Sequence, residues 1–527
     1  MYLENRVFGT DVEYGISERY IGNKNGGQRD IAPSTIETVL RDFIPDKRVG
    51  QWTVNGSRYY QDHAHAEGCT PEVDSIVDGL AHERIIERKI RNAFEAWEQG
   101  PGKGRVVTVT KGTSDGVRLW GAHNSIQSER EAWSAYGHSD PEYVMNHPAF
   151  KLLGMFLGSC DIFLGSGAIV GDLDEDYKLS LSERGALLTH DVHMDTVDRK
   201  PVLNMRDEAL GNQERFVRLH VVKLDANLSD WAQLMKWGML MLIAGCAEEK
   251  IFPGWEDLDL RTGDLKNLSR HVALDTTCSQ PFTFAAGQTM TAVDIQEQIY
   301  QAAIDLSERV DVGDELRWVL DEWGKAIVDV RQSPLLLRNR VDWGVHHQMI
   351  GRKLEEYGNE PDEANLTGLA HRRVRAVSVG FRQLTTKRVN KAGQPVPDGP
   401  TALRTSEKGW GGYEPLRQLL KQRRFEKLVA ERESSPPPTT RARLRGEFIN
   451  RLADRGDISV RDWDSAAVYI KNYCGAVHFP DDPRVSEVPG FSALLDEILR
   501  AEAMTYELAK KLGITASASE FRSGLAI

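Results

Sequence analysis

The chain has 527 residues, 40% hydrophobic and 27% charged, with a formal net charge of -12 at neutral pH. That composition belongs to an ordinary globular protein with room for roughly two to four domains, or for one large core with an appendage. The acidic balance argues against a general nucleic-acid binder, no apolar run is long enough to cross a membrane, and the first residues lack the basic start and apolar stretch of a secretory signal.

In chain order, Phe8, Thr10, Val12, Tyr14 and Ile16 alternate with Val7, Gly9, Asp11 and Glu13. This predicts a half-buried strand over 6–16 that displays two carboxylates on one face. A helix is expected near 34–43, followed by a hairpin around Asn55-Gly56 that leads into a second strand, "SRYYQD". Ile76, Leu80, Ile86, Ile90, Phe94 and Trp97 fall near helical spacing, so a long amphipathic helix is expected over 73–98. Further strands are expected at 105–111, 117–123, 177–182, 201–205 and 215–222, and helices at 147–158, 229–247, 293–324, 339–357 and 492–511. "NKAGQPVPDGPT" (390–401) and "SSPPPTT" (434–440) read as loop or linker. The order is not a regular βαβ alternation and no repeat is visible. The expected fold class is therefore α+β around a largely antiparallel sheet, with a large domain over 1–433 and a small, mainly helical one over 434–527.

Five scattered cysteines without a CxxC pair fit the reduced thiols of a cytosolic, cytoplasmic enzyme. Arginines and lysines crowd 371–391, 417–427 and 441–451, either as solvated helix faces or as a basic groove for an acidic partner.

Chemistry concentrates in "NGSRYYQDHAHAEGCTPE" (55–72). Strand periodicity places Arg58, Tyr60 and Asp62 on one face. Should that face meet Asp11 and Glu13, the clustered carboxylates would invite Mg²⁺, and an arginine beside them would suit a polyphosphate. The same pattern also fits an open sheet turning polar residues to water. In an uninterrupted strand His63, His65 and Glu67 would face away from Asp62, and no further ligands at zinc spacing follow the His-x-His pair. A second cluster holds Arg206 in "NMRDE" and Arg218 and His220 in "RFVRLHVV". It fits a phosphate clamp, or surface ion pairs and a hydrogen-bonded core histidine. "FLGSGAIVG" (163–171) lacks the ending of a P-loop, and no GxSxG, HExxH or kinase motif set occurs.

Taken together, "GTDVEYGIS", "NGSRYYQDHAHAEGCTPE", "KGTSDG…WGAHN", "GSGAIVG", "LNMRDE…RLHVVKLDAN", "PPPTTRARLRGEF" and "DWDSA" resemble, in order, the motifs of the Pup ligase and Pup deamidase/depupylase family. The resemblance implies a glutamine-synthetase-like fold, in which a curved antiparallel sheet flanked by helices cradles ATP and Mg²⁺. It implies chemistry on the C-terminal Gln or Glu side chain of a small, disordered, Pup-like modifier and its protein conjugates, with neither nucleic acid nor membrane as partner. Carried over by position, Asp62 would be the catalytic carboxylate, and Asp11, Tyr60 and Glu67 would hold Mg²⁺. Arg58, Thr70 and Trp463 would contact ATP, and Arg206, Arg218 and His220 would face its phosphates. This assignment needs the strand to break before Glu67. Three features depart from the family pattern: Asp11 stands where a glutamate is usual, "KGTSDG" is shortened, and no glutamate follows the histidine of "GAHN".

"DHAH", "SDG" and "GSG" resemble the deamidase branch, whereas the short connection of about forty residues between the first and catalytic strands resembles the ligase. Residues near the chemistry outweigh a peripheral loop, so the expected activity is deamidase/isopeptidase, with modifier–protein ligation as the alternative. A non-catalytic nucleotide or modifier sensor and a small-molecule carboxylate–amine ligase are further alternatives.

Overall fold

The computed structural model describes residues 6–20, 29–113, 120–170, 178–208, 211–355, 381–384, 413–460, 462–470, 473–501 and 505–513. At its centre is a nine-stranded sheet formed by β1 (Phe8–Tyr20), β2 (Arg29–Asp30), β3 (Arg48–Val49), β4 (Trp52–Thr53), β5 (Arg58–Asp62), β6 (His65–Cys69), β7 (Arg105–Lys111), β8 (Ala122–Glu129) and β9 (Phe216–Val221). Every pairing in it is antiparallel. β1 runs longer than its neighbours and is shared. Its first half pairs with β8 and β6, and its second half with β7 and β2.

The alternation in β1 is the one its residues predict, with Phe8, Thr10, Val12, Tyr14 and Ile16 buried and the intervening residues half-buried. The buried face packs on helices. The longest, Ile76–Gln99, starts where Ser75 Oγ accepts the Asp78 N–H at 3.1 Å, and it buries Leu80, Ile86, Ile90, Phe94 and Trp97. Contact with β6 is close: a Cβ at Gly68 would lie 2.3 Å from Ile86 Cγ2, so only glycine fits there. The β4–β5 turn carries Asn55 and Gly56, and Gly56 sits at φ +85°, where a side chain is strained.

The predicted helices 293–324 and 492–511 are each two. Ala292–Arg309 breaks before Gly313–Gln332, and Phe491–Arg500 is followed by Tyr506–Lys511. Gly313 at φ +72° turns the chain at the first break. After the triple proline the helices pack with a three-stranded antiparallel sheet, Ile458–Val460, Ser465–Ile470 and Tyr473–His478, which periodicity did not reveal. Phe448, Ile449, Val468, Phe479 and Leu495 form its core together with Val49 and Trp52 of the large sheet. The expected loop 390–401, the basic run 371–380 and 385–391, and residues 117–119 of an expected strand lie outside the described residues. Among those described, no helix is long and apolar enough to cross a membrane.

Candidate active site

The half-buried face of the sheet is a grid whose rows follow from strand register. His123, Asp11, Cys69 and Arg58 stand opposite one another across β8, β1, β6 and β5. The next row is Glu13, Glu67 and Tyr60, and the one after pairs His65 with Asp62. In the other direction lie His220 opposite Ser125 and then Arg218 opposite Gln127. Directly opposed side chains have Cβ atoms about 5 Å apart, so each row is a line of contacts.

The strand breaks as the carry-over requires. His63 and Ala64 turn the chain between β5 and β6, His63 at φ +48°, so Glu67 and His65 return to the face of Asp62. All ten candidate residues line one cavity of about 520 Å³: Asp11, Arg58, Tyr60, Asp62, Glu67 and Thr70 from the first strands, Arg206, Arg218 and His220 from the second cluster, and Trp463 from beyond the proline run.

Carboxylates and imidazoles gather at its centre. Carboxylate oxygens of Glu13, Asp62 and Glu67 lie within 4.8 Å of one another, and so do ligand atoms of Asp11, His123 and His220. Burial pushes the Asp11 carboxyl up, and burial together with the Asp11 charge pushes Glu67 well above the carboxylate range. Burial also raises the Tyr60 phenol. Glu13 differs. Burial would raise it, but a hydrogen bond from His65, the charges of His65 and His123, and the Gly121 N–H hold it below its usual value. His65 Nδ1 stands 2.8 Å from Glu13 Oε2. Burial lowers His123 to about 3 and His220 well below its ordinary value, so both imidazoles stay neutral with lone pairs free. Four carboxylates, a phenol beside one of them and two neutral imidazoles fit divalent cations: oxygen donors suit Mg²⁺, and the imidazoles add affinity for softer ions.

Arginines and aromatic rings flank the carboxylates, Arg58 from β5 and Arg218 from β9. Arg58 lies 4.3 Å from the Tyr60 ring centre and 5.3 Å from that of Trp52, and Gln51 Oε1 accepts its Nε and Nη2 at 2.9 and 2.8 Å. Trp463 meets Trp52 edge-on at 4.5 Å. Thr70 Oγ1 accepts the Thr10 N–H at 2.9 Å, joining the end of β6 to β1. Arg206 Nε donates to Glu208 Oε1 at 2.6 Å, and Arg218 Nη1 is 3.8 Å from the other oxygen of Glu208.

Within the basic run 441–451, Arg441 and Arg445 prove to be neither a solvated face nor an open groove. Both are buried on Glu72: Arg441 Nε donates to Oε1 at 2.8 Å, and Arg445 Nη2 to Oε2 at 2.5 Å. Arg445 also rests against both Trp52 and Trp463, with centroid distances of 4.7 and 4.9 Å. Periodicity placed Glu13 in a carboxylate cluster that would invite Mg²⁺, the family resemblance left it out of the metal ligands, and His123 was visible only inside "GAHN". The Glu72 seam joins positions almost four hundred residues apart along the chain, and no local pattern signals it.

An antiparallel sheet whose cavity gathers carboxylates, neutral imidazoles and arginines has the residue types of an enzyme site. The profile of the Pup-ligase protein family matches residues 6–390, and the chain belongs to that family. It is similar to the Pup–protein ligases of Geodermatophilus obscurus, with 26% identity over 88% of this chain and 93% of the relative, and of Mycobacterium tuberculosis, with 24% identity over the same shares. The fold matches a crystal structure of the ligase PafA in complex with Pup, at 20% identity and TM-score 0.72, covering 99% of this chain and 98% of that one. It also matches PafA in complex with ADP, at 20% identity and TM-score 0.64, covering 89% and 94%.

Proposed function

We propose that the chain is a cytoplasmic ATP- and Mg²⁺-dependent ligase that joins the C-terminal glutamate side chain of a Pup-like modifier to lysines of proteins. The relatives named as Pup–protein ligases and the fold shared with PafA support ligation over the deamidation that the residues around Asp62 suggested. The ADP complex of PafA supports a nucleotide in the cavity.

The observation that carries this function is the convergence of Asp62, Glu13 and Glu67 in the same cavity as Arg58, Arg206 and Arg218. Asp11, Glu13, Tyr60 and Glu67 would hold Mg²⁺, while Arg58, Thr70 and Trp463 would receive the nucleotide. Bound nucleotide would supply the phosphoryl group that activates the modifier's carboxylate and leaves as phosphate when the amide forms, and bound metal would supply the positive charge that stabilises its transfer. Asp62 stands at the tip of the β5–β6 hairpin, 39% exposed, where an incoming amine can reach it while its carboxylate faces the cavity. It takes the proton that the lysine amine gives up on forming the amide. Arg206, Arg218 and His220 face the oxyanions.

Purified protein incubated with ATP, Mg²⁺, a modifier ending in Gly-Glu and a lysine-bearing protein tests this by mass spectrometry. ATP-dependent adduct formation is expected. Ammonia released from a Gln-ended modifier, or modifier freed from conjugates, with no adduct, would return the assignment to the deamidase. Adducts with free glutamate and an amine would mark a small-molecule ligase. Nucleotide binding with no product at all would mark a sensor.

A further inference from the structure

Arg206 and Arg218 come from different sheets. Arg206 follows a strand, Pro201–Asn204, that pairs with His190–His193, whereas Arg218 lies in β9. Two contacts bring them together. The Tyr136 hydroxyl reaches the Arg218 carbonyl at 3.0 Å and the Arg206 carbonyl at 3.4 Å, pinning both backbones from outside the cavity. Glu208 then bridges their side chains from within it, one oxygen toward each guanidinium.

Glu208 is a poor structural partner compared with its neighbour. Asp207 makes a two-point pair with Arg130 at 2.9 and 3.0 Å and anchors the segment, since Arg130 also donates to the Phe216 carbonyl. The Glu208 side chain is 44% exposed and stands 3.8 Å from Arg218, within ion-pair range but beyond a hydrogen bond. Around it the cavity wall is short of partners. Arg218 Nε and both ring nitrogens of His220 are shielded from solvent and make no hydrogen bond. The guanidinium N–H and the one N–H of the neutral imidazole, buried and left this way, mark a site that something else satisfies. A carboxylate already sits across the arginine pair, so the geometry accepts an oxyanion, and a half-exposed ion pair is weak enough to be displaced.

We propose that Glu208 sets the affinity of the oxyanion site already assigned to Arg206, Arg218 and His220, standing in for the ligand until a phosphate or carboxylate oxygen displaces it. Tyr136 is a positioning residue that holds the two arginines at the spacing the oxyanion needs. The inference rests on the cavity being the seat of nucleotide and of the modifier's acidic end, and the two sources of oxyanion separate experimentally.

Glu208→Gln and Glu208→Ala variants, checked for folding by thermal melting, are titrated calorimetrically with ADP, pyrophosphate and a peptide ending in Gly-Glu. Loss of the stand-in tightens the probe that uses the subsite by about three- to tenfold, and more at low salt. Tightening of ADP and pyrophosphate alone makes the ligand a phosphate; tightening of the peptide alone makes it a carboxylate. Tyr136→Phe, which keeps the ring on Phe150 and loses only the hydroxyl, weakens that same probe and spares the other, a split that a packing defect would not produce. Unchanged or weaker binding of every probe in both Glu208 variants overturns the proposal and makes Glu208 a strut that aims the arginines. If wild-type protein binds neither ADP nor peptide while the variants take up pyrophosphate more tightly, the ligase assignment falls and the subsite stands.

Discussion

Glu67 and Glu72 lie five positions apart in one segment, and both are buried. Glu67 faces Asp11 and Glu13 and makes no ion pair among the described residues, and burial drives its carboxyl well above the usual range. Burial pushes Glu72 up as well, but Arg445 and Arg441 outweigh it and hold the carboxyl at about 2. One glutamate is compensated by the chain itself and the other is left for something outside the chain. That contrast separates the seam joining the C-terminal helices to the sheet from the site where chemistry is expected. Buried charge with its partners supplied is architecture, and buried charge without them is an invitation to a ligand.

Asp62 belongs to the uncompensated side and gives the largest expected effect. Asp62→Asn should lower ligation by about 10²- to 10⁴-fold, the range for losing a general base, while nucleotide affinity stays within a factor of about two. Single-turnover adduct formation and calorimetry measure the two quantities. Equal losses in both would place Asp62 among the ligand-holding groups instead.

On the compensated side the loss should appear as stability. Glu72→Gln leaves Arg441 and Arg445 buried beside a neutral group, and breaking such a pair costs about 3–5 kcal/mol. Denaturant unfolding should register that loss. Because Arg445 also holds Trp463 against Trp52, ADP should bind more weakly. Normal ADP affinity in a destabilised Glu72→Gln protein would detach Trp463 from the nucleotide.

Much of the carboxylate side was legible in the sequence because it obeys a period of two. Asp11 and Glu13 alternate with apolar residues, and Arg58, Tyr60 and Asp62 do the same, so their faces could be assigned before any pairing was known. What periodicity could not supply was the parity of His65 and Glu67, which depends on whether two residues turn the chain or extend it. The seam was illegible for a different reason. Arg441 and Arg445 look like solvent-facing charge in a helix rich in arginine, and only Glu72, brought close by tertiary folding, shows them to be buried. The three-stranded sheet after the proline run was missed because its strands are three to six residues long and the central one buries Ala466, Ala467 and Val468 in succession instead of alternating.

The two glutamates should also answer pH in opposite directions. Glu67 has a folded value above its unfolded one, so in metal-free protein it binds its proton more readily when folded. Its contribution to stability therefore falls as pH rises from the ordinary 4.5 toward the raised value. Glu72 has a depressed folded value, so the stability it confers is present above 4.5 and lost as pH drops toward about 2. Unfolding titrations of Glu67→Gln and Glu72→Gln against wild type resolve the two slopes. Saturating Mg²⁺ should flatten the Glu67 slope and leave the Glu72 slope unchanged. A Glu67 slope indifferent to divalent cation would remove that residue from the metal ligands.

The smallest expected effect lies at the turn on which the contrast depends. His63 holds φ +48°, a conformation glycine and asparagine adopt readily and a β-branched residue does not. His63→Gly should change stability by no more than about 1 kcal/mol, since relief of backbone strain is offset by the entropy of glycine in the unfolded chain. His63→Val should cost more than either, read from chemical denaturation. The functional consequence is larger than the energy. A slip of one residue in β6 would turn Ala66 and Gly68 into the cavity and drive Glu67 against Ile86, where even the Cβ of a residue replacing Gly68 has no room. Divalent-cation binding should therefore fall in His63→Val by more than its stability does, and equal, proportionate losses would mean that the turn supports the sheet without setting its register.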